Sequence, residues 1–123
     1  MTASVGVDLI EIARVRRAMG KYASFTERCF TEAERAYCES RPNPAQHYAA
    51  RFAGKEAVGK ALGIGVARAF AWQEVEIAGR PKPRVRLHGR LEQQAARLGV
   101  VEVDLSMTHS KELAAAIAIA SEA

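Results

Sequence analysis

The chain has 123 residues, of which 49% are hydrophobic and 26% charged, and its formal net charge is +4. This length suits a single domain spanning residues 1–123, and the composition is that of a folded globular protein rather than a disordered one. A basic balance favours anionic partners without choosing among nucleic acid, phosphorylated cofactors and acidic proteins.

The two cysteines, Cys29 and Cys38, lack the spacing of a zinc site, so we expect buried free thiols. No apolar run approaches the roughly 20 residues of a membrane span. At the N-terminus the basic residues follow the apolar run, which is the reverse of a secretory signal. We therefore expect a cytoplasmic protein that does not bind membranes.

Alternation and helical periodicity predict the elements in chain order. A strand is expected over 4–12 and a helix over 14–22. Thr31 and Glu34 form a capping-box pattern at the start of a second helix. A long helix is expected over 44–62, and because small or apolar residues lie on two of its sides we expect it to be buried between neighbouring elements. Strands over 72–77 and 84–87 form a hairpin through a turn at 79–83. A short amphipathic helix follows over 89–98, with Leu91, Ala95 and Leu98 facing inward. Strands over 101–108 and 113–120 flank a turn at 109–112. This pattern predicts an α+β fold with an antiparallel sheet packed on a long central helix.

Two carboxylates stand out, although 48 positions separate them in the sequence. Asp8 lies in the first strand, which we expect to be partly buried on both faces, and Glu56 lies in the central helix. If the fold joins them, they suit a hard cation such as Mg²⁺, which takes the rest of its shell from water and phosphate. The alternatives are that Asp8 caps backbone amides and that Glu56 pairs with Lys60 one turn later.

Basic residues on the same helix indicate a second possibility. Arg51 and Lys55 are like charges one turn apart, which costs free energy unless an anion lies beside them. A phosphate-bearing ligand would explain them, together with Lys60. The alternative is that all three side chains extend to solvent from semi-buried edges of the helix.

Two further segments carry polar chemistry. Residues 106–110 read SMTHS, whose hydroxyls and imidazole can bind phosphate, whereas a Ser/His hydrolase would need a nucleophile elbow that is missing. The helix over 14–22 exposes Arg14, Arg16, Arg17 and Lys21. It could contact nucleic acid or an acidic protein helix, and no nucleic-acid motif accompanies it.

Taken together, these segments resemble the holo-[acyl-carrier-protein] synthase family of small 4'-phosphopantetheinyl transferases. The matching segments are GVD at 6–8 followed by Glu11, RFAGKEA at 51–57 continuing to KALG at 60–63, GRP at 79–81, and SMTHSKE at 106–112. Each is weak alone, but their order and spacing cover almost the whole chain. Gly54 and Gly59 depart from the family, which more often has alanine or another residue there.

The resemblance implies transfer of the 4'-phosphopantetheine arm of coenzyme A to a serine of apo-acyl carrier protein, releasing 3',5'-ADP, in fatty acid biosynthesis. It implies Asp8 and Glu56 as Mg²⁺ ligands and Lys60 beside the pyrophosphate. Further implied roles are coenzyme A binding by Arg51, His109 and Ser110, and carrier-protein binding by Arg14, Arg17 and Lys21. It also implies a homotrimer with sites at the subunit interfaces. The proton acceptor for the serine stays open between Glu56 and a metal-bound water.

Two other functions remain at this point. One is a binding module that holds coenzyme A or an acidic partner without chemistry, although binding alone does not require Asp8, Glu56 and Lys60. The other is a basic RNA-binding domain, which would show a steep salt dependence of RNA affinity and no affinity for coenzyme A.

Overall fold

A computed structural model describes residues 2–64, 71–79 and 82–123. The chain forms a mixed helical and antiparallel-sheet structure, as the sequence predicts. The helices, in chain order, are α1 (Ile12–Lys21), α2 (Phe25–Cys29), α3 (Glu32–Glu39), α4 (Pro44–Ala61) and α5 (Gly89–Arg97). The strands are β1 (Ala3–Glu11), β2 (Val75–Ala78), β3 (Arg84–Leu87), β4 (Val100–His109) and β5 (Leu113–Glu122).

A three-stranded antiparallel sheet in the order β1-β5-β4 packs its inner face on α4. Strand β5 lies in the middle, and its alternate alanines from Ala114 to Ala120 are buried. Helix α4 is therefore held against a sheet face of small side chains, where its own small residues allow a close approach. The hairpin of β2 and β3 forms a separate two-stranded sheet, and β2 also contacts α4.

Most boundaries follow local signals. The capping box at α3 is complete, since Thr31 accepts from the amide of Glu34 and the Glu34 carboxylate accepts from the amide of Thr31. Helix α4 begins with Pro44, which needs no amide partner in the first helical turn. It ends before Gly63, which has a positive φ of 73°.

Three predictions need correction. The expected strand over 72–77 begins as a 3₁₀ turn over Trp72–Glu74, and only Val75–Ala78 pairs as a strand. Helix α2 was missed because five residues are too few to display a helical period. Leu98, expected to face inward, lies exposed just after the end of α5. Part of the predicted turn at 79–83, namely 80–81, lies outside the described residues.

The outer face of the sheet differs from the expectation for β1. Val5, Val7 and Leu9 point away from α4 and remain exposed, so only one face of β1 is buried within the chain. Ile119 and Ile117 of β5 pair with Val5 and Val7 across the ladder and extend this apolar surface. We call these five residues the outer sheet face.

Two further features bear on the predictions. Cys29 and Cys38 are buried free thiols, as expected. Among the described ranges, none of the helices has the length and apolar composition that crossing a bilayer requires.

Candidate active site

The fold brings Asp8, Glu56 and Lys60 together, although β1 and α4 are far apart in the sequence. Asp8 lies on the face of β1 that packs against α4. The Lys60 ammonium donates to the Asp8 carboxylate over 3.2 Å and to the backbone carbonyl of Val7 over 3.0 Å. Glu56 lies one helical turn before Lys60, close enough to Asp8 for the two carboxyl groups to share a hydrogen bond.

The electrostatics of this cluster are unbalanced. Burial, followed by the hydrogen bond and negative charge of Asp8, raises the pKa of Glu56 to about 7, against opposing effects of Lys60 and Arg14. The second carboxylate oxygen of Asp8 is buried and accepts no hydrogen bond from the described residues. Two close carboxylates with one exposed ammonium therefore leave negative charge that the protein does not fully neutralise.

This arrangement fits a divalent cation. A carboxylate pair with a free buried oxygen offers hard oxygen ligands at one point, which is what Mg²⁺ prefers. Within the described ranges, no three or more histidine, cysteine, aspartate or glutamate side chains are grouped to hold a metal ion. A cation bound by Asp8 and Glu56 would thus need water and substrate oxygens to complete its shell.

A second cluster surrounds Arg51, which is buried in α4. Its guanidinium lies over the ring of Tyr37, 4.1 Å from the centroid, and its Nε has no hydrogen-bond partner among the described residues. Arg51 and His109 line a cavity of about 410 Å³ that reaches the hairpin at Gly79. Because Arg51 is a permanent cation at the wall of this cavity, an anion bound in the cavity would lie beside its guanidinium.

Ser110 is placed differently from His109. Its hydroxyl accepts from the amide of Leu113, and its own amide donates to the Leu113 carbonyl, so Ser110 closes the turn between β4 and β5. The hydroxyl proton is still free to point elsewhere. Met107 and Thr108 line the Arg51 cavity with His109, whereas Ser110 is not part of its lining.

Lys55 does not lie at a semi-buried edge, and it cannot share an anion with Arg51. It is fully buried and forms an ion pair with Glu34 over 2.8 Å. It also donates to the backbone carbonyls of Trp72 and Val75. Burial lowers the pKa of Lys55, and Glu34 opposes this effect. Lys55 therefore joins α4 to α3 and the hairpin rather than facing a ligand.

The basic residues of α1 are exposed as predicted, and Arg14 lies beside the carboxylate pair. Arg14 is close enough to lower the pKa of Glu56, and Arg16 donates to the Asn43 side chain over 3.4 Å. Arg17 and Lys21 are also exposed. These exposed cations give α1 a positive surface, which we call the positive rim, and it reaches the carboxylate pair at Arg14.

Sequence reasoning missed two supporting residues. Tyr37 lies under the Arg51 guanidinium, and nothing in the spacing of 37 and 51 indicates that contact. Glu34 was assigned to the capping box alone, yet its carboxylate also accepts from Lys55 and from the amide of Ile77. A buried lysine requires a counter-ion, so a correct prediction of burial for Lys55 would have prompted the search for Glu34.

Comparisons with known proteins agree with the predicted resemblance. The family profile described as the 4'-phosphopantetheinyl transferase superfamily matches residues 4–118. The chain is 47% identical over 116 residues to a holo-[acyl-carrier-protein] synthase of Moorella thermoacetica, covering 93% of this chain and 90% of the relative.

Solved structures show the same likeness. A Mycobacterium tuberculosis acyl carrier protein synthase is 35% identical, with a TM-score of 0.74 over 98% of this chain and 97% of the other. A Bacillus anthracis holo-(acyl-carrier-protein) synthase, solved in complex with CoA (3',5'-ADP), is 29% identical with a TM-score of 0.79. That alignment covers 98% of this chain and 96% of the other.

Proposed function

The chain belongs to the 4'-phosphopantetheinyl transferase superfamily, and from this premise we propose that it transfers 4'-phosphopantetheine from coenzyme A to a serine of apo-acyl carrier protein. The products are holo-acyl carrier protein and 3',5'-ADP, and the reaction serves fatty acid biosynthesis. The observation that carries the proposal is the meeting of Asp8, Glu56 and Lys60 beside a positive rim.

Asp8 and Glu56 are the residues that would hold Mg²⁺. The free buried oxygen of Asp8 and the raised pKa of Glu56 both support this assignment, because each reflects negative charge that a cation would neutralise. When bound, Mg²⁺ would offset the charge of the coenzyme A pyrophosphate. Phosphoryl transfer depends mainly on positioning and charge neutralisation, so two carboxylates suffice as the protein's share.

Lys60 acts on the same phosphates from the solvent side. Its ammonium is held by the Val7 carbonyl and Asp8, yet its side chain is 46% exposed, so a ligand can reach it. We assign it to the charge that develops on the departing phosphate. Glu56 is the carboxylate of this cluster that we assign to accept the proton that the serine hydroxyl loses.

We assign Arg51 and His109 to the other end of coenzyme A, away from its pyrophosphate. The cavity that Arg51 lines beside His109 suits a phosphate, which we assign to the 3'-phosphate of coenzyme A. Ser110 is assigned to the same end of the ligand, through the free proton of its hydroxyl. The coenzyme A complex of the Bacillus anthracis relative supports this ligand class.

The two clusters lie on different sides of α4, which supports an active site shared between copies. Arg51 and Glu56 are separated by roughly 140° around the helix axis, since each residue advances about 100°. One extended ligand cannot easily contact both sides of a buried helix. We propose a homotrimer in which one copy supplies Asp8, Glu56 and Lys60 and its neighbour supplies Arg51, His109 and Ser110.

The outer sheet face is the surface that such an assembly would cover. Its five apolar residues are each at least 40% exposed in the single chain, side by side on β1 and β5. A contiguous apolar patch of this kind marks an interface. Light scattering at micromolar concentration is expected to give the mass of a trimer. A monomer with full activity would contradict the shared site.

The basic residues of α1 are assigned to the carrier protein. Arg14, Arg17 and Lys21 form a positive surface beside Glu56, and an acidic helix placed there would bring its serine to the reacting phosphate. The reaction is assigned to the cytoplasm, since the buried free thiols of Cys29 and Cys38 fit a reducing compartment.

The direct test combines the purified protein with coenzyme A, Mg²⁺ and apo-acyl carrier protein. The mass of the carrier protein is expected to rise by that of one phosphopantetheine group, and chelation of the metal should stop the change. A carrier protein of unchanged mass in a mixture where coenzyme A binds would support a binding module instead. A reaction that is insensitive to chelation would remove the metal assignment.

A further inference from the structure

Gly6 lies where β1 comes closest to α4. A Cβ atom at this position would overlap the carbonyl oxygen of Ala57 and lie 2.7 Å from the amide nitrogen of Ala61. Both atoms belong to the helix backbone, so they cannot rotate away as the end of a flexible side chain would. The observed separation of strand and helix therefore requires glycine at position 6.

This close approach occurs at the proposed metal site itself. Gly6 and Asp8 are two residues apart, so both face α4, whereas Val5 and Val7 face outward. On the helix, Ala57 directly follows Glu56, and Ala61 directly follows Lys60. The contact at Gly6 thus fixes how far the Asp8 carboxylate can lie from the Glu56 carboxylate.

We propose that Gly6 is a positioning residue that sets the spacing of the two carboxylates and thereby favours a small cation. The inference rests on the proposed function of Asp8 and Glu56 as metal ligands. Mg²⁺ demands ligands at about 2.0–2.1 Å, whereas Ca²⁺ accepts about 2.3–2.6 Å and a less regular shell. Moving β1 away from α4 would widen the gap and shift the preference toward the larger ion.

The test measures coenzyme A binding by calorimetry with Mg²⁺, with Ca²⁺ and with chelator. In Gly6→Ala, the gain in affinity from Mg²⁺ is expected to fall about tenfold, on the scale of a lost outer-shell contact. The gain from Ca²⁺ should fall less, so the ratio of the two gains changes. Gly20→Ala is the matched control, because a Cβ there meets nothing within 4 Å. A wild-type ratio in Gly6→Ala would overturn the proposal, even if the variant unfolds more easily.

A second variant covers the case in which Gly6→Ala does not fold. Asp8→Glu keeps Gly6, so the gap between β1 and α4 stays the same while the side chain at position 8 becomes one methylene longer. It should lose the Mg²⁺-dependent gain while its unfolding free energy stays near that of the wild type. An unchanged Mg²⁺ response in Asp8→Glu would mean that the gap is not fixed, and it would overturn the proposal.

The double variant sharpens the result. If spacing is the cause, the longer side chain of Asp8→Glu should recover part of the response that Gly6→Ala loses. The spacing argument would be contradicted if the double variant, with its fold intact, gained less coenzyme A affinity from Mg²⁺ than either single variant. A wild type whose coenzyme A binding ignores both metals would instead refute the proposed metal ligands, whereas a metal-responsive wild type with an unaltered Gly6→Ala ratio refutes the role of Gly6 alone.

Discussion

Helix α4 carries two lysines, five residues apart, in opposite environments. Lys55 is fully buried, and its three hydrogen bonds go to Glu34 and to two backbone carbonyls. Lys60 is exposed along 46% of its side chain and donates to the Asp8 carboxylate and to the Val7 carbonyl. The same residue type therefore serves two purposes within one helix.

The two lysines differ in how completely the carboxylates beside them are hydrogen-bonded within the protein. Glu34 accepts from Lys55 and from the amides of Thr31 and Ile77, so its charge is fully partnered inside the protein. Asp8 has a buried oxygen without a partner, and Glu56 has a raised pKa. A complete polar network stabilises a fold, whereas an incomplete one beside solvent indicates a site that a ligand completes.

The largest effect is expected from breaking the complete network. Lys55→Met should lower the free energy of unfolding by about 3–5 kcal/mol, because it leaves the Glu34 charge buried without its partner. Urea denaturation followed by circular dichroism measures the change. Lys60→Met is the matched control, and its effect should stay below about 1 kcal/mol because exposed pairs contribute little. Equal losses in the two variants would contradict the contrast.

Substitutions at the incompletely partnered carboxylates, Asp8 and Glu56, should affect turnover strongly and stability little. Asp8→Asn and Glu56→Gln are each expected to lower turnover by about 100-fold, the scale of losing a main electrostatic contact in the transition state. Their unfolding free energy should stay level or rise, since each substitution removes repulsion between carboxylates. Steady-state kinetics and urea denaturation on the same samples check both halves. Turnover near that of the wild type in both variants would place the metal elsewhere.

The pH dependence of stability should separate the two regions further. Glu56 has a folded-state pKa of about 7, above its ordinary value of 4.5. Between these values the folded state holds a proton that the unfolded state has released, so stability should fall as pH rises from about 4.5 to about 7.

Melting temperatures across this range, in metal-free buffer, measure the fall. Glu56→Gln should lack that portion of the slope, and Mg²⁺ with coenzyme A should offset it in the wild type. Identical slopes in wild type and Glu56→Gln would show that Glu56 does not titrate in this window.

The smallest effect concerns the positive rim. Arg14→Glu with Arg17→Glu should raise the KM for carrier protein about tenfold at low salt, since rim charges act mainly on association. Coenzyme A affinity should change little. Arg97→Glu, at an exposed arginine on α5, is the control for a charge reversal away from α1. If the double variant kept wild-type kinetics at low salt, α1 would not belong to the carrier-protein interface.

Local patterns in the sequence predicted much of the fold. Alternating side chains located β4 and β5, and the pair of Thr31 and Glu34 located the start of α3, because a capping box involves only neighbours in the chain. The small residues of α4 predicted a helix packed closely on several sides. The resemblance added the family and the residues of the site, since the order of its motifs spans nearly the whole chain.

The sequence by itself thus determined the class of fold, the central helix and the residue types available for chemistry. Tertiary structure decided their roles, because the deciding partners lie far away in the chain. Only packing shows that Lys55 meets Glu34 and that Lys60 meets Asp8. The demand for glycine at position 6 likewise comes from the backbone of α4. Spacing along a strand or helix fixes the face on which a side chain lies, but what that face meets depends on how the elements pack.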